Sequence, residues 1–169
     1  MTLDFVELDH AQGDIEIEAD YSEETVDVKH YTITGYGVDY DVEGIVKRYK
    51  RGDIEIPKFQ RTFVWPLKRA SRFIESLLMG LPVPGIFLYR EKGSQILRVI
   101  DGQQRLMTLH FYYEGQFKDS ERPFALKGLE SRFNDLAYND LLDEDKRRLN
   151  DSIIHASIIQ QESPDDDGS

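Results

Sequence analysis

A run of five polar or flexible residues stands where the sequence changes from a strand pattern to a helix pattern. Residues 96–100 form a short, β-branched apolar run, which is typical of a buried strand. Leu106, Leu109 and Tyr113 follow at spacings of three and four, which predicts a helix. Between these elements an Asp-Gly pair predicts a tight turn, in which Asp101 offers its carboxylate as the helix N-cap. The polar run consists of Asp101, Gly102, Gln103, Gln104 and Arg105.

This junction has the chemistry of an anion site. The first-turn N–H groups of a helix have no intrahelical partner and carry the positive end of the helix dipole, so they bind anions readily. Arg105 adds a planar, permanently charged group that suits phosphate. Gln103 and Gln104 add neutral donors and acceptors. The residues alone leave a second interpretation open, in which Asp101 only caps the helix and Arg105 is a solvated surface residue.

The charge of the chain is unevenly distributed. The net charge of −11 argues against indiscriminate binding to nucleic acid. Residues 1–44 carry thirteen acidic residues and one lysine, whereas residues 45–72 carry nine basic residues and two acidic ones. The basic segment 45–72 is therefore a candidate anion-binding face, and its alternative interpretation is the solvated polar side of two helices.

Composition limits the class of protein. The chain has 169 residues, of which 40% are hydrophobic, and this length suits one domain with tails. Cysteine is absent, which excludes disulfides and thiolate chemistry, and the four histidines lack the spacing of zinc ligands. No apolar run is long enough to cross a membrane, and the acidic N-terminus does not resemble a signal peptide. We therefore expect a cytoplasmic protein without a membrane partner.

The periodicity predicts alternating strands and helices. We expect one domain over residues 31–162, an acidic and partly ordered segment over residues 1–30, and a disordered tail over residues 163–169. Residues 31–38 predict a strand or an approach loop. Further strands are predicted over residues 15–19, 54–56, 86–89, 95–100, 124–126 and 153–160. Helices are predicted over residues 42–49, 66–79 and 102–113, with one or two short helices over residues 136–150.

An aromatic segment bounded by prolines precedes the second predicted helix. Phe59, Phe63 and Trp65 are predicted to pack in the core, which leaves Gln60 and Arg61 directed elsewhere. Pro66 suits the first turn of the helix that follows. On that helix the apolar residues fall on one stripe, which consists of Leu67, Ala70, Phe73, Ile74, Leu77 and Leu78.

Three segments in this order and spacing resemble one protein family. They are Ile-Pro-Lys-Phe-Gln-Arg-Thr-Phe-Val-Trp at 56–65, Leu-Leu-Met-Gly-Leu-Pro-Val-Pro at 77–84 and Val-Ile-Asp-Gly-Gln-Gln-Arg-Leu-Met-Thr-Leu at 99–109. The chain resembles the N-terminal domain of the GmrS/GmrD-type, modification-dependent restriction endonucleases. The resemblance extends over about residues 40–115, and more weakly to residue 160. It implies an α+β fold of the ParB/sulfiredoxin type, with a small mixed sheet and flanking helices.

The resemblance also implies a function in bacterial defence against foreign, often modified, DNA. The domain would bind a nucleoside triphosphate with Mg²⁺, and the sequence leaves open whether the nucleotide is hydrolysed. The nucleotide pocket would be lined by Gln60, Arg61, Gly102, Gln103 and Arg105. Asp101 would hold Mg²⁺, orient water or only cap the helix. Gln104, like Gln103, would orient water or contact the base.

Two features limit this expectation. No Gly-x-x-x-x-Gly-Lys-Ser/Thr motif is present, so any NTPase activity would not be of the P-loop kind. Family members usually continue into a nuclease domain of the His-Asn-His type, and this sequence contains none. Nuclease activity is therefore not assigned to the chain, and such a nuclease domain or subunit becomes an expected partner.

Two alternatives to the nucleotide-binding hypothesis belong to other functional classes. The first is a non-catalytic DNA-recognition module, in which Arg61, Arg69 and Arg72 of the basic segment contact phosphates. The second is a purely structural or dimerising domain. Such a domain would show neither salt-sensitive DNA binding nor thermal stabilisation by nucleotide.

Overall fold

Five strands form one mixed sheet in the computed structural model, which describes residues 32–118 and 120–162. The strands are β1 (Thr32–Asp41), β2 (Ile54–Glu55), β3 (Ile86–Arg90), β4 (Leu97–Asp101) and β5 (Ile153–Glu162). The helices are α1 (Val42–Lys50), α2 (Leu67–Leu78), α3 (Gln103–Glu114) and α4 (Asp143–Asp151), with a 3-10 turn at Tyr138–Asp140. The predictions for residues 1–30 and 163–169, including a strand over residues 15–19, lie outside the described residues.

The strand order in the sheet is β1-β5-β3-β4-β2. β1 pairs with β5 and β3 with β4 in antiparallel orientation, whereas β5 pairs with β3 and β4 with β2 in parallel orientation. The predicted α+β class with a small mixed sheet and flanking helices is therefore confirmed. For residues 31–38 the strand alternative is confirmed, because β1 pairs with β5 along its whole length.

The core lies on one face of the sheet. In β5 the buried residues alternate along the strand as Ile154, Ala156 and Ile158, which is the period of a strand with one buried face. On the opposite face Phe87 and Ile153 stay about half exposed. The predicted stripe of α2 is confirmed, because its members from Ala70 to Leu78 are buried in the core.

Two helix starts can be compared with the sequence. Asp41 caps α1, since its carboxylate accepts a hydrogen bond from the N–H of Gly44. Pro66 was predicted in the first turn of α2, and this position is wrong by one residue. Pro66 is the N-cap, with an extended backbone, and the helix begins at Leu67. Its carbonyl accepts from the N–H of Ala70 at 3.1 Å, so it still begins the helical ladder.

The aromatic segment before α2 divides into a buried part and an exposed part. Trp65 is 8% exposed and packs edge-on against Phe73, which confirms its predicted place in the core. Phe63 is partly buried and packs against Phe111. The core position predicted for Phe59 is wrong, because its side chain is 89% exposed. The N–H of Gln60 donates to the carbonyl of Pro57 at 3.0 Å, and this turn carries Phe59 outward.

The strand predicted over residues 124–126 is also wrong. Phe124 and Leu126 are buried, but the backbone around them is irregular. The N–H of Phe124 donates to Gly115 at 2.9 Å, whereas that of Leu126 donates to Leu136 at 3.0 Å. Because these bonds go to two separate segments, no strand ladder forms.

Among the described residues, no helix has the length and apolar character needed to cross a membrane.

Candidate functional site

A cavity of about 430 Å³ lies between the aromatic segment, the first turns of α2 and the junction of β4 with α3. The structure brings all seven residues that the sequence singled out to this one place. The lining residues are Gln60, Arg61, Trp65, Arg69, Ile100, Asp101, Gly102, Gln103, Gln104 and Arg105. Arg61 and Arg105 therefore open onto the same cavity, although 44 positions separate them in the sequence.

Gly102 makes the strand-to-helix junction possible. β4 ends at Asp101 and α3 begins at Gln103, so the chain turns within one residue. Gly102 has a φ of 96°, a conformation that residues with a side chain rarely adopt. The predicted N-cap role of Asp101 is wrong, because Gly102 is the N-cap and no side chain caps the helix. The positive end of α3 therefore lies at the cavity without a capping side chain.

Replacing Gly102 with alanine is expected to destabilise the fold by about 1 kcal/mol more than replacing Gly93. Both glycines have positive φ, so each alanine costs roughly 1–2 kcal/mol from its backbone conformation. A Cβ on Gly102 would also lie 2.4 Å from Cγ2 of Ile86, whereas a Cβ on Gly93 meets nothing within 4 Å. Urea unfolding followed by the fluorescence of the single tryptophan measures both variants. Equal midpoints would contradict the packing argument.

The glutamine side chains hydrogen-bond the two walls of the cavity to each other. Gln104 accepts from the N–H groups of Val64 at 2.8 Å and Trp65 at 3.2 Å, and its amide donates to the carbonyl of Thr62 at 3.2 Å. Gln103 donates to the carbonyl of Arg61. Both glutamines are buried. Their amides therefore position the aromatic segment, and the roles predicted for them towards water or a base stay predictions.

Gln60 makes the corresponding contact from the other wall. Its amide donates to the carbonyl of Val99 and, at 3.5 Å, to that of Ile100. The turn at residues 57–60 is thereby attached to the end of β4. The sequence did not predict these hydrogen bonds, because glutamine side chains that bond to backbone groups follow no periodic pattern along the chain.

Arg105 is largely buried and is held from two sides. Its Nη2 donates to the carbonyl of Gly85 at 2.8 Å and to Oδ2 of Asp101 at 3.2 Å. The side chain of Arg105 is 17% exposed, whereas that of Asp101 is 69% exposed. Within the described part of the chain, the buried Nε of Arg105 has no hydrogen-bond partner. The alternative in which Arg105 is only a solvated surface residue is therefore wrong.

Arg69 is a third cation at the cavity, and sequence reasoning did not assign it to a nucleotide site. Its guanidinium lies over the ring of Trp65, 4.6 Å from the ring centre. The signal in the sequence was the spacing of four between Trp65 and Arg69, which places the two side chains together across the first turn of α2. The cavity is lined by three arginines, Arg61, Arg69 and Arg105, and by one carboxylate, that of Asp101. Its lining therefore has a net positive charge.

The described residues contain no cluster of three or more His, Cys, Asp or Glu side chains that could hold a metal ion. Among the residues that line the cavity, Asp101 is the one acidic side chain. Mg²⁺ commonly takes one or two carboxylates and completes its shell with phosphate oxygens and water. The site thus fits a metal that arrives with a polyphosphate, and it does not fit a metal held by protein side chains alone.

Comparison with known proteins identifies the family. The sequence matches the family described as GmrSD restriction endonuclease, N-terminal domain, over residues 42–167. It is also 31% identical, over 108 residues, to an uncharacterized protein of Methanocaldococcus jannaschii. That alignment covers 48% of this chain and 18% of the relative, so the chain spans less than a fifth of the relative's length. No solved structure matches. Since the family match covers most of the chain and includes the cavity, the protein belongs to the GmrSD restriction endonuclease N-terminal domain family.

Proposed function

We propose that this chain is a nucleotide-binding regulatory domain of a DNA-restriction system that acts in phage defence. The observation that carries the proposal is the convergence of three arginines, from two separate segments, at the N-terminus of α3. The family membership supports the restriction part of the proposal, and the cavity supports the nucleotide part. Modified DNA and a nuclease domain or subunit of the His-Asn-His type would then be the partners that respond to the nucleotide.

The charge and volume of the cavity favour a polyphosphate. Arginine binds phosphate through paired N–H groups, and the start of a helix contributes further donors. Anchoring by Gly85 fixes the plane of the Arg105 guanidinium, so little side-chain entropy is lost when a ligand binds. The volume of about 430 Å³ lies within the range of known small-molecule sites.

Asp101 is the residue that would hold Mg²⁺ and, if hydrolysis follows, orient water. Its side chain is exposed at the cavity, so it can reach a ligand. Bound Mg²⁺ would neutralise charge on the phosphates. For Gln104 we propose positioning rather than catalysis, because its amide already makes three hydrogen bonds to the backbone of residues 62–65.

The DNA-recognition alternative is less well supported by the geometry. It requires Arg61, Arg69 and Arg72 to act together on an extended phosphate backbone. Arg61 and Arg69 line the concave cavity beside the start of α3, whereas Arg72 is exposed on α2 and is not among the lining residues. Arg61 and Arg69 are therefore placed for a compact ligand.

The experiment is a thermal-shift comparison of the four ribonucleoside triphosphates, each with and without Mg²⁺. At least one of them is expected to raise the melting temperature with ligand concentration, by the equivalent of about 2.7 kcal/mol at a hundred times its Kd. The matching nucleoside, which lacks phosphates, is the control and is expected to have no effect. Absence of any triphosphate response, together with salt-sensitive binding to duplex DNA, would overturn the proposal in favour of DNA recognition.

A further inference from the structure

A second cavity, of about 670 Å³, lies beside the edge strand β2. It is bounded by the last turn of α1, by β2 and by the turn at residues 57–60, with contributions from β4 and α3. The residues that matter for its chemistry are Tyr49, Lys50, Lys58, Phe59, Arg98 and His110. The proposed nucleotide site uses none of these side chains.

Phe59 is the most exposed of the large hydrophobic residues that the structure describes. It lies at the rim of a cavity whose walls include two further rings, those of Tyr49 and His110, which meet edge-on at 5.1 Å. An isolated exposed ring needs no explanation. A ring at the rim of a cavity with an aromatic wall and lysine neighbours is the arrangement on which unpaired bases stack.

The charges around this cavity favour an anion. Lys50, Lys58 and Arg98 line it together with the single carboxylate of Glu55. Lys50 and Arg98 each have an ion-pair partner, in Glu114 and Glu91. Lys58 has no hydrogen-bond or ion-pair partner in the part of the chain that the structure describes. Its ammonium group is therefore available to a ligand.

His110 contributes its imidazole ring to the wall of the cavity. Its Nδ1 is buried and has no hydrogen-bond partner among the described residues. Burial lowers the pKa of His110, which favours the neutral ring, and a neutral imidazole accepts a hydrogen bond at one nitrogen and donates at the other.

We propose that this second cavity binds an unpaired base of single-stranded nucleic acid, with Phe59 stacked on the base and Lys58 on the adjoining phosphate. A strand is favoured over a free nucleotide because the segment that lines the cavity is basic along the sequence, and Lys47, Lys50 and Arg51 in it have ion-pair partners whereas Lys58 has none among the described residues. Residues 47–58 hold five basic side chains and two acidic ones, which suits a backbone that carries several phosphates.

The two sites share one turn but use different residues of it. Lys58 and Phe59 line the second cavity, whereas Gln60 and Arg61 line the first. The inference therefore goes beyond the proposed nucleotide site and can be tested separately. A variant of Phe59 should weaken binding of single-stranded nucleic acid, and a variant of Arg105 should weaken binding of the nucleotide.

The test is fluorescence anisotropy of a labelled oligothymidylate of about twelve nucleotides. Phe59→Leu is expected to weaken binding about tenfold, because it removes the aromatic face, whereas Phe59→Tyr keeps the face and should bind within about twofold of the wild type. Lys58→Ala should weaken binding and reduce the salt slope by about one phosphate contact. Lys92→Ala, at an exposed lysine in the β3–β4 turn, is the matched control and should leave binding unchanged.

The proposal is overturned if the oligonucleotide does not bind, or if Phe59→Leu and Phe59→Tyr bind it equally well. If thymidine monophosphate competes as well as the unlabelled oligonucleotide does, the ligand of this cavity is a free nucleotide rather than a single strand of nucleic acid. The thermal shift with ribonucleoside triphosphates separates the two sites. Phe59→Leu is expected to keep that response, and its loss would instead assign Phe59 to the first cavity.

Discussion

Replacing Trp65 with alanine is expected to lower the free energy of unfolding by about 3–5 kcal/mol, the cost of truncating a large aromatic side chain in a core. Trp65 is 8% exposed and packs against Phe73 in the core. Arg69 lies over its ring, so the cavity that remains would have a charged group on one side, whereas the backbone N–H of residue 65 keeps its hydrogen bond to Gln104. Urea unfolding followed by circular dichroism measures the loss, because the variant lacks the single tryptophan.

Phe59→Ala is the matched control, since it truncates an aromatic ring six positions away in the same segment. Phe59 is almost fully exposed, so its truncation is expected to cost less than about 0.5 kcal/mol. The difference between the two variants then measures burial rather than aromatic character. A loss below about 1 kcal/mol for Trp65→Ala would contradict the burial and leave its ring available for ligand stacking.

Burial periodicity explains why most elements could be predicted. The stripe on α2 and the alternation in β5 repeat over many residues, so each prediction depended on several side chains at once. The C-terminal end of α3 was predicted to within one residue, and Gly115 after it adopts the left-handed conformation that ends a helix. Such signals come from residues that are close to one another in the sequence and do not depend on contacts between distant segments.

The errors fall where a distant contact decides the local structure. Asp101 looked like an N-cap because an Asp-Gly pair before a helix is a common cap. In the structure its carboxylate is drawn towards Arg105, and Gly102 takes the cap position close to Ile86. Phe59 is carried outward by the turn at residues 57–60, and the side chain of Gln60 attaches this turn to the distant end of β4.

The composition of the candidate site was predictable in part. The family resemblance brought Gln60 and Arg61 together with residues 101–105, and all of them line one cavity. Arg69 was not included, since it belongs to the α2 pattern, but it lines the cavity with its guanidinium over the ring of Trp65. The hydrogen bonds of the Gln103 and Gln104 side chains to the aromatic segment could not be predicted from the spacing of residues, because they join positions about 40 residues apart.

Arg105→Ala is expected to weaken binding of the nucleoside triphosphate by about 1.5–3 kcal/mol, which corresponds to roughly 10-fold to 150-fold in Kd. The side chain is largely buried, and Gly85 and Asp101 fix its position through one nitrogen, Nη2. Nη1 is left for the phosphates, whereas Nε is buried, and alanine removes the charge and the donors together. Arg105→Lys should recover only part of the affinity, because an ammonium group cannot make the paired contacts of a guanidinium. Isothermal titration calorimetry measures all three proteins.

Arg72→Ala is the control for charge alone, since Arg72 is an exposed arginine of α2 outside the lining of the cavity. It is expected to change Kd by less than about twofold, because a distant exposed charge is screened by salt. Asp101→Asn should keep most of the nucleotide affinity and reduce any Mg²⁺-dependent hydrolysis, since the amide cannot replace a carboxylate towards the metal. Equal losses for Arg72→Ala and Arg105→Ala would mean that net charge, rather than the built cavity, attracts the nucleotide. Unchanged binding in Arg105→Ala would remove Arg105 from the site and leave the start of α3 without its main phosphate contact.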